Sequence, residues 1–293
     1  MWQGRNTLDL KKDKYFGTLL PQHDKTPKLV ILSLGAGVQS STMALMAAEG
    51  HIQPMPDCAI FADTGYEPPG VYEYLDWLES QLPFPVYRVM KGNIKDDMIN
   101  SVDHGARFPT APFYTVNAKT GKKGMLMRQC TNDYKIQPIR KKIRELLGVG
   151  YYKHVKKNVW VEQWIGISTD EIARMKPARD KYIINRWPLL EMNINRRQCQ
   201  DWFEKRGHRK PTKSACICCP FHDDAHWQDM KDNRPEEFAD AVEFDKKIRH
   251  GSRNVKDKLF LHRSAQPLDQ VKFKPKSEQY EMFDNVCEGM CGV

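Results

Sequence analysis

The segment Lys28 to Ala47, KLVILSLGAGVQSSTMALMA, constrains this chain more than any other. An apolar strand with no polar alternation runs into a turn of glycines and hydroxyls, and the turn runs into an apolar helix. A strand apolar at successive positions is buried on both faces, which requires layers of helix above and below its sheet. The pattern recurs. CAIFADTG reads as a second strand and GVYEYLDWLESQL as a second helix. FPVYRVMKG reads as a third strand, NVWVEQWIGIS as a fourth and KYIINRWPLL as a fifth. The expected fold class is therefore α/β, a parallel sheet with helices on both faces. Residues 1–27 read as a polar arm, 28–190 as a nucleotide-binding domain, and 191–293 as a smaller Cys-rich, mainly helical region with a C-terminal tail.

Between the third and fourth strands the pattern breaks. FYTVNAKTGKKGMLMR predicts a hairpin turning near Thr120 and Gly121. NDYKIQPIRKKIRELLG predicts a helix in which Pro138 marks either a kink or the start. Lys119 to Lys157 holds twelve Lys or Arg against two acids, Asp133 and Glu145, within a chain of formal net charge +9. Such a stretch suits a polyanionic partner, either nucleic acid (DNA or tRNA) or a multiply phosphorylated nucleotide. No apolar run approaches a membrane span and no leader pattern opens the chain, so no membrane partner is expected and the cytoplasm is the expected location.

A glycine turn between a parallel strand and a helix exposes backbone amides to an anion at the helix N-terminus. Here the turn carries Ser33, Gly35, Gly37, Gln39, Ser40 and Ser41. It has no lysine before its serines, so it is not the Walker type, and it lacks the dinucleotide spacing. What remains is a pyrophosphate cradle of hydroxyls and amides. Asp63, at the end of the second strand, belongs to the same sheet edge and suits Mg²⁺ or a ribose hydroxyl. Lys135 and Arg140, on the basic helix, are candidates to face nucleotide phosphates.

Eight cysteines in a chain without an export signal point to metal or redox chemistry. Cys216 and Cys219 form a C-x-x-C pair with Cys218 inside it, while Cys130 and Cys199 stand alone. Four scattered thiolates suit a [4Fe–4S] cluster better than zinc, which stays open as the alternative. The expected ligands are Cys130, Cys199, Cys216 and Cys219. The tail CEGMCGV adds Cys287 and Cys291, a thiol pair able to attack sulfur and resolve as a disulfide.

SLGAGVQSS followed by ADTGYEPPGVYEYLDWL resembles the PP-loop ATP pyrophosphatases, in their phosphoadenylylsulfate reductase-like branch, and is similar to the sulfur-transfer component of DNA phosphorothioation systems. The resemblance covers roughly 28–190. It implies a Rossmann-like, adenine nucleotide alpha hydrolase-like sheet, and ATP or an adenylyl sulfate as ligand. One class of that family carries a [4Fe–4S] cluster on cysteines. The resemblance also implies a mobile tail cysteine, a role open to Cys287 or Cys291, and an arginine for the sulfate or 3′-phosphate, where Arg174 remains. The loop departs from the family pattern at Gln39, where an acid is usual. Three functions follow as expectations. The first is an ATP-dependent enzyme that adenylates an acceptor for sulfur insertion, with a sulfur donor protein as a further partner. The second is an adenylyl sulfate reductase acting through a tail cysteine. The third is a nucleotide-binding regulator without turnover.

Overall fold

β1 (Leu29–Leu34) is central because it has no face to spare for water: Ile31 and Leu32 are wholly buried, and Val30 and Leu34 nearly so. In the computed structural model, which describes residues 26–104, 108–150, 152–251 and 255–274, β1 pairs in parallel on both sides. α1 (Val38–Ala48) follows it directly and leads to β2 (Cys58–Asp63). α2 (Pro69–Gln81) starts on a proline, whose fixed φ suits a first helical turn, and leads to β3 (Val86–Met90). The chain then leaves the sheet through α3 (Ile94–His104) and a hairpin of β4 (Tyr114–Val116) and β5 (Lys123–Met125), turning at Gly121 as expected. A π-helical turn, Asn132–Ile136, runs into α4 (Gln137–Leu146), with Pro138 in its first turn, so the proline begins the regular helix. β6 (Val161–Trp164) and β7 (Ile183–Arg186) complete the large sheet. α5 (Pro188–Glu191), α6 (Arg196–Arg206), α7 (Asp224–Asn233), α8 (Pro235–Ile248) and β8 (Lys258–Phe260) follow.

The large sheet has the order β3-β2-β1-β6-β7 and is parallel throughout, an α/β Rossmann-like arrangement. The strand order reverses between β1 and β6. In open α/β sheets that reversal leaves a crevice at the carboxyl ends of the two strands. One face of the sheet buries Leu32, Leu34 and Trp164 together with Met43, Leu75 and Phe203, contributed by α1, α2 and α6. The other face buries Ile31, Ile60, Val161 and Ile183 with Ile143 of α4. The alternation of β1 residues between these two cores is the direct outcome of its unbroken apolar run. Fully burying each such side chain stabilises the fold by about 1.5–3 kcal/mol.

A second core lies beside the sheet. The small antiparallel sheet β5-β4-β8 packs its inner face on α8, and Met98, Phe113, Trp227, Phe244 and Leu259 close around it. α6 is placed elsewhere, back against α1, with a reciprocal Asn195–Gln198 cap at its start and Gly207 at φ 67° at its end. Among the described residues no helix is long and apolar enough to cross a membrane.

Gly166, just after β6, packs on the start of α1. A Cβ there would stand 2.9 Å from the Ser40 amide nitrogen and 3.1 Å from Ser40 Cα. Both are backbone atoms and neither yields cheaply. Gly166→Ala is therefore expected to lower the unfolding free energy by about 1–3 kcal/mol, read from the midpoint of a urea titration.

Candidate functional site

The turn after β1 is closed by its own side chains. Ala36 takes φ 54°, a left-handed conformation usually left to glycine, and lets the chain reverse into α1. Ser40 Oγ accepts from the Gly35 amide at 3.2 Å and donates to the Gly37 carbonyl at 3.3 Å. Ser33 Oγ accepts from Gln163 Nε2 at 2.6 Å, across the sheet to β6. Ser41 Oγ is buried without a hydrogen-bond partner. The whole run from Ser33 to Ser41, Gly35 and Gly37 included, is buried.

Gln39 explains the closure. Its Nε2 donates to Ser168 Oγ at 3.3 Å and to Glu171 Oε2 at 3.0 Å, while its Oε1 accepts from Arg196 Nη1 at 3.3 Å. Ser168 and Glu171 follow β6, and Arg196 opens α6, so one amide side chain bridges the crevice between β1 and β6. Glu171 also pairs with Arg174, on the same short helical turn, Thr169–Arg174. A carboxylate in place of Gln39 would face the Glu171 carboxylate. The amide bonds to Glu171 and to Arg196 at once, because it carries a donor and an acceptor.

On the other side of β1, the end of β2 carries a second constellation. Asp63 Oδ1 accepts from the Gly65 amide at 2.7 Å and from Tyr72 Oη at 2.8 Å. Gly65, at φ 71°, lies so close to Asn93 that a Cβ would stand 2.9 Å from its Cα. This tight turn sends Thr64, Tyr66 and Glu67 toward the cysteine loop. The Ile217 amide donates to the Tyr66 carbonyl at 3.0 Å and fastens that loop to the sheet edge. Thr64 Oγ1 then meets Cys216 Sγ at 3.1 Å, and Lys135 Nζ meets Glu67 Oε1 at 3.4 Å. Glu67 Oε2 is buried with no partner.

A small open pocket lies beside Thr64 and Lys135, and Cys130, Cys216, Cys218 and Cys219 all line it. Cys216 and Cys218 are held as thiols. Burial pushes both well above the ordinary range, with Glu67 adding to the effect at Cys216 and Cys219 at Cys218. Cys199 does not join them. It is wholly buried on α6 with Phe203, in the core against α1, so α6 carries its sulfur into a different core from the one that holds Cys130, Cys216 and Cys218. Cys218 lines the pocket although it is not among the four ligands expected from the sequence. Its neighbours Ile217 and Cys219 bracket it in the same short loop, which was the available signal.

The donor set fits a thiolate-held metal or cluster in kind, since four soft sulfurs share one pocket and a charged ligand would relieve their burial as thiolates. Among the described residues, no three His, Cys, Asp or Glu side chains stand grouped around a point that could hold a metal ion. Arg140 is directed away from this edge, since it pairs with Asp180 ahead of β7. Cys287 and Cys291 lie outside the described residues.

Below the cysteine loop two imidazoles stack, His222 on His226, with ring centres 4.0 Å apart. His222 Nε2 donates to the Cys216 carbonyl at 3.0 Å and props the loop from beneath. Burial keeps both neutral, His222 well below the usual range and His226 down to about 3, with Lys213 and Arg234 opposing protonation of His226.

No family model matches the chain, and no curated protein matches it. Among solved structures it is similar to phosphoadenylyl-sulfate (PAPS) reductase from Candida auris in a phosphate complex. That match has 15% identity and a TM-score of 0.39, and covers 64% of this chain and 76% of that one. It is also similar to the U34-tRNA thiolase NcsA from Methanococcus maripaludis with its [4Fe-4S] cluster, at 14% identity and TM-score 0.39, over 82% of this chain and 78% of that one.

The two histidines set an acid limit on stability. His226 gains its proton near 6.5 when unfolded but only near 3 when folded. The unfolded chain therefore binds more protons throughout that interval. Stability is full above pH 6.5 and falls progressively toward pH 3. His226→Gln is expected to flatten that fall, measured as urea midpoints at about pH 7, 5.5 and 4.5.

Proposed function

We propose that this chain is an adenine-nucleotide-dependent enzyme that activates an acceptor with ATP and places sulfur on it. The observation that carries the reading is the seating of four cysteine sulfurs in one pocket at the end of β2, beside the hydroxyl-and-amide turn that ends β1. A charge-binding turn and a sulfur-binding pocket on neighbouring strand ends suit a reaction with two parts, activation and sulfur entry.

In this reading the amides of Gly35 and Gly37 and the hydroxyls of Ser33, Ser40 and Ser41 take the phosphates, after Gln39 releases its hold across the crevice. Asp63 holds Mg²⁺ or the ribose, and Arg174 an anionic group of the ligand. Lys135 adds positive charge toward the pocket. The acceptor oxygen attacks the α-phosphorus, and pyrophosphate leaves with the electrons of the broken P–O bond. Sulfur, entering as hydrosulfide from a donor, then bonds to the acceptor carbon while the C–O bond breaks and AMP departs. Sulfur thus replaces oxygen with no net change of oxidation state. The chain's own contribution is preorganised donors for the charge that develops on the leaving phosphates. Cys130, Cys216 and Cys219, with Cys218 beside them, would hold a [4Fe–4S] cluster, whose chemistry when bound is to ligate the incoming sulfur.

One observation favours a second reading. The three bonds of Gln39 span the crevice where nucleotide would enter, which suits a binder that senses nucleotide without turning it over. The reductase alternative rests on Cys287 and Cys291.

The test is anaerobic purification with iron, zinc and labile-sulfide analysis, followed by ATP with tRNA, with DNA and with no acceptor. Iron with labile sulfide and acceptor-dependent pyrophosphate release are expected. Cys216→Ala should lose the iron yet bind ATP as the parent does. Ser40→Ala should weaken ATP roughly tenfold or more, the loss of a hydrogen bond to a charged group. ATP binding with no pyrophosphate under any condition selects the second reading. Sulfite release from adenylyl sulfate and a thiol selects the reductase. A protein that binds no nucleotide overturns the proposal.

A further inference from the structure

Three segments distant in the chain meet at one side chain, Gln39. Its Nε2 serves Ser168 and Glu171 after β6, and its Oε1 serves Arg196 at the start of α6. Gln39, Ser168 and Glu171 are all buried. The far partners are fastened to each other. The Thr169 amide donates to the Ile194 carbonyl at 3.0 Å, and the Arg196 amide donates to Asp170 Oδ1 at 2.9 Å. The Thr169–Arg174 turn and the start of α6 therefore form one wall of the crevice, and α1 forms the other. Gln39 joins the two walls.

The joined walls cover the turn after β1. Gly166, on the far wall, lies so near the start of α1 that a Cβ would stand 2.9 Å from the Ser40 nitrogen. Every residue from Ser33 to Ser41 is buried. Closure has a cost, since Ser41 Oγ is buried without a partner. Three bonds of Gln39 hold the closed form against it. Only an amide makes all three, because a carboxylate at 39 has no hydrogen to give Glu171. Arg196 sets the direction of that amide. A guanidinium only donates, so it faces Oε1 and turns Nε2 toward Glu171. Arg196 is itself half-buried, so a ligand reaches it from solvent. A phosphate oxygen is a stronger acceptor for a guanidinium than a neutral amide oxygen is. A neutral ligand has no such acceptor to offer.

We propose that Gln39 is a latch that keeps the turn after β1 shut. Arg196 is the group through which a phosphorylated ligand releases it, passing from the Gln39 amide to a phosphate oxygen. This rests on the nucleotide-binding reading and adds how that site is regulated.

The test uses the full chain with a fluorescent ATP, and adenosine as the neutral probe. Gln39→Met keeps the length of the side chain and removes all three bonds. Gln39→Ala is the second variant and guards against poor packing of the thioether. Both are expected to bind ATP about tenfold more tightly than the parent, as follows when about one parent molecule in ten stands open. Without nucleotide, the backbone amides from Gly35 to Ser41 should exchange hydrogen faster in both variants than in the parent. Adding Arg196→Ala to Gln39→Met should weaken ATP about tenfold or more and leave adenosine unchanged, since no latch remains and only the phosphate contact is lost. Parent affinity and parent exchange in both Gln39 variants overturn the latch, while the nucleotide reading stands on the parent's own ATP binding. Weaker ATP binding in both makes the amide a ligand contact and overturns the latch as well. If the double variant binds ATP as tightly as Gln39→Met does, the release through Arg196 is overturned. If neither parent nor variants bind ATP, the latch and the nucleotide reading fail together.

Discussion

A single backbone hydrogen bond organises the candidate site: the Ile217 amide on the Tyr66 carbonyl. It ties a loop from the C-terminal third of the chain to the turn that ends β2. Without it Cys216 would have no reason to meet Thr64, and Glu67 would bury its carboxylate among fewer partners. The bond is possible because Gly65 turns left-handed against Asn93 and presents the next carbonyl outward. The imidazole of His222, donating to the Cys216 carbonyl, supports the same loop from the opposite side. Two polar contacts and one glycine thus fix where three of the pocket's four sulfurs sit.

The crevice between β1 and β6 is governed by a different balance. Two guanidinium side chains, Arg174 and Arg196, and two acceptors, Glu171 and the Gln39 amide oxygen, are brought together there by three separate segments. Each buried group has a partner of opposite character, so the arrangement avoids the cost of an unpaired buried charge. It also leaves the turn after β1 enclosed. In the proposed reading, nucleotide entry at this edge would exchange these internal partners for phosphates, which are stronger acceptors for the same donors.

Much of the framework was legible because it depends on local pattern. Unbroken apolar strands dictated a sheet covered on both faces, Gly121 marked a hairpin where one occurs, and Pro138 marked a kink or a start, of which the structure has the start. Cys199 shows the limit of such reading. Its spacing from Phe203 on one helical face places it in a core, but which core depends on where α6 packs. Cys218 shows the converse. Nothing in CICC says which of its three sulfurs faces a cavity, and the loop curls so that all three line one. Arg140 sits on the basic helix but on the face that meets Asp180, a distinction that requires the helix to be docked.

The sequence by itself determined the layered sheet, the hydroxyl-rich turn at its edge and the presence of a cysteine loop, because periodicity and turn chemistry act over a few residues. Only the tertiary structure decided that Gln39 spans the switch point, and that Cys130 joins the Cys216–Cys219 loop while Cys199 does not. Those outcomes depend on contacts between residues far apart in the chain, and they are set by which surfaces bury together.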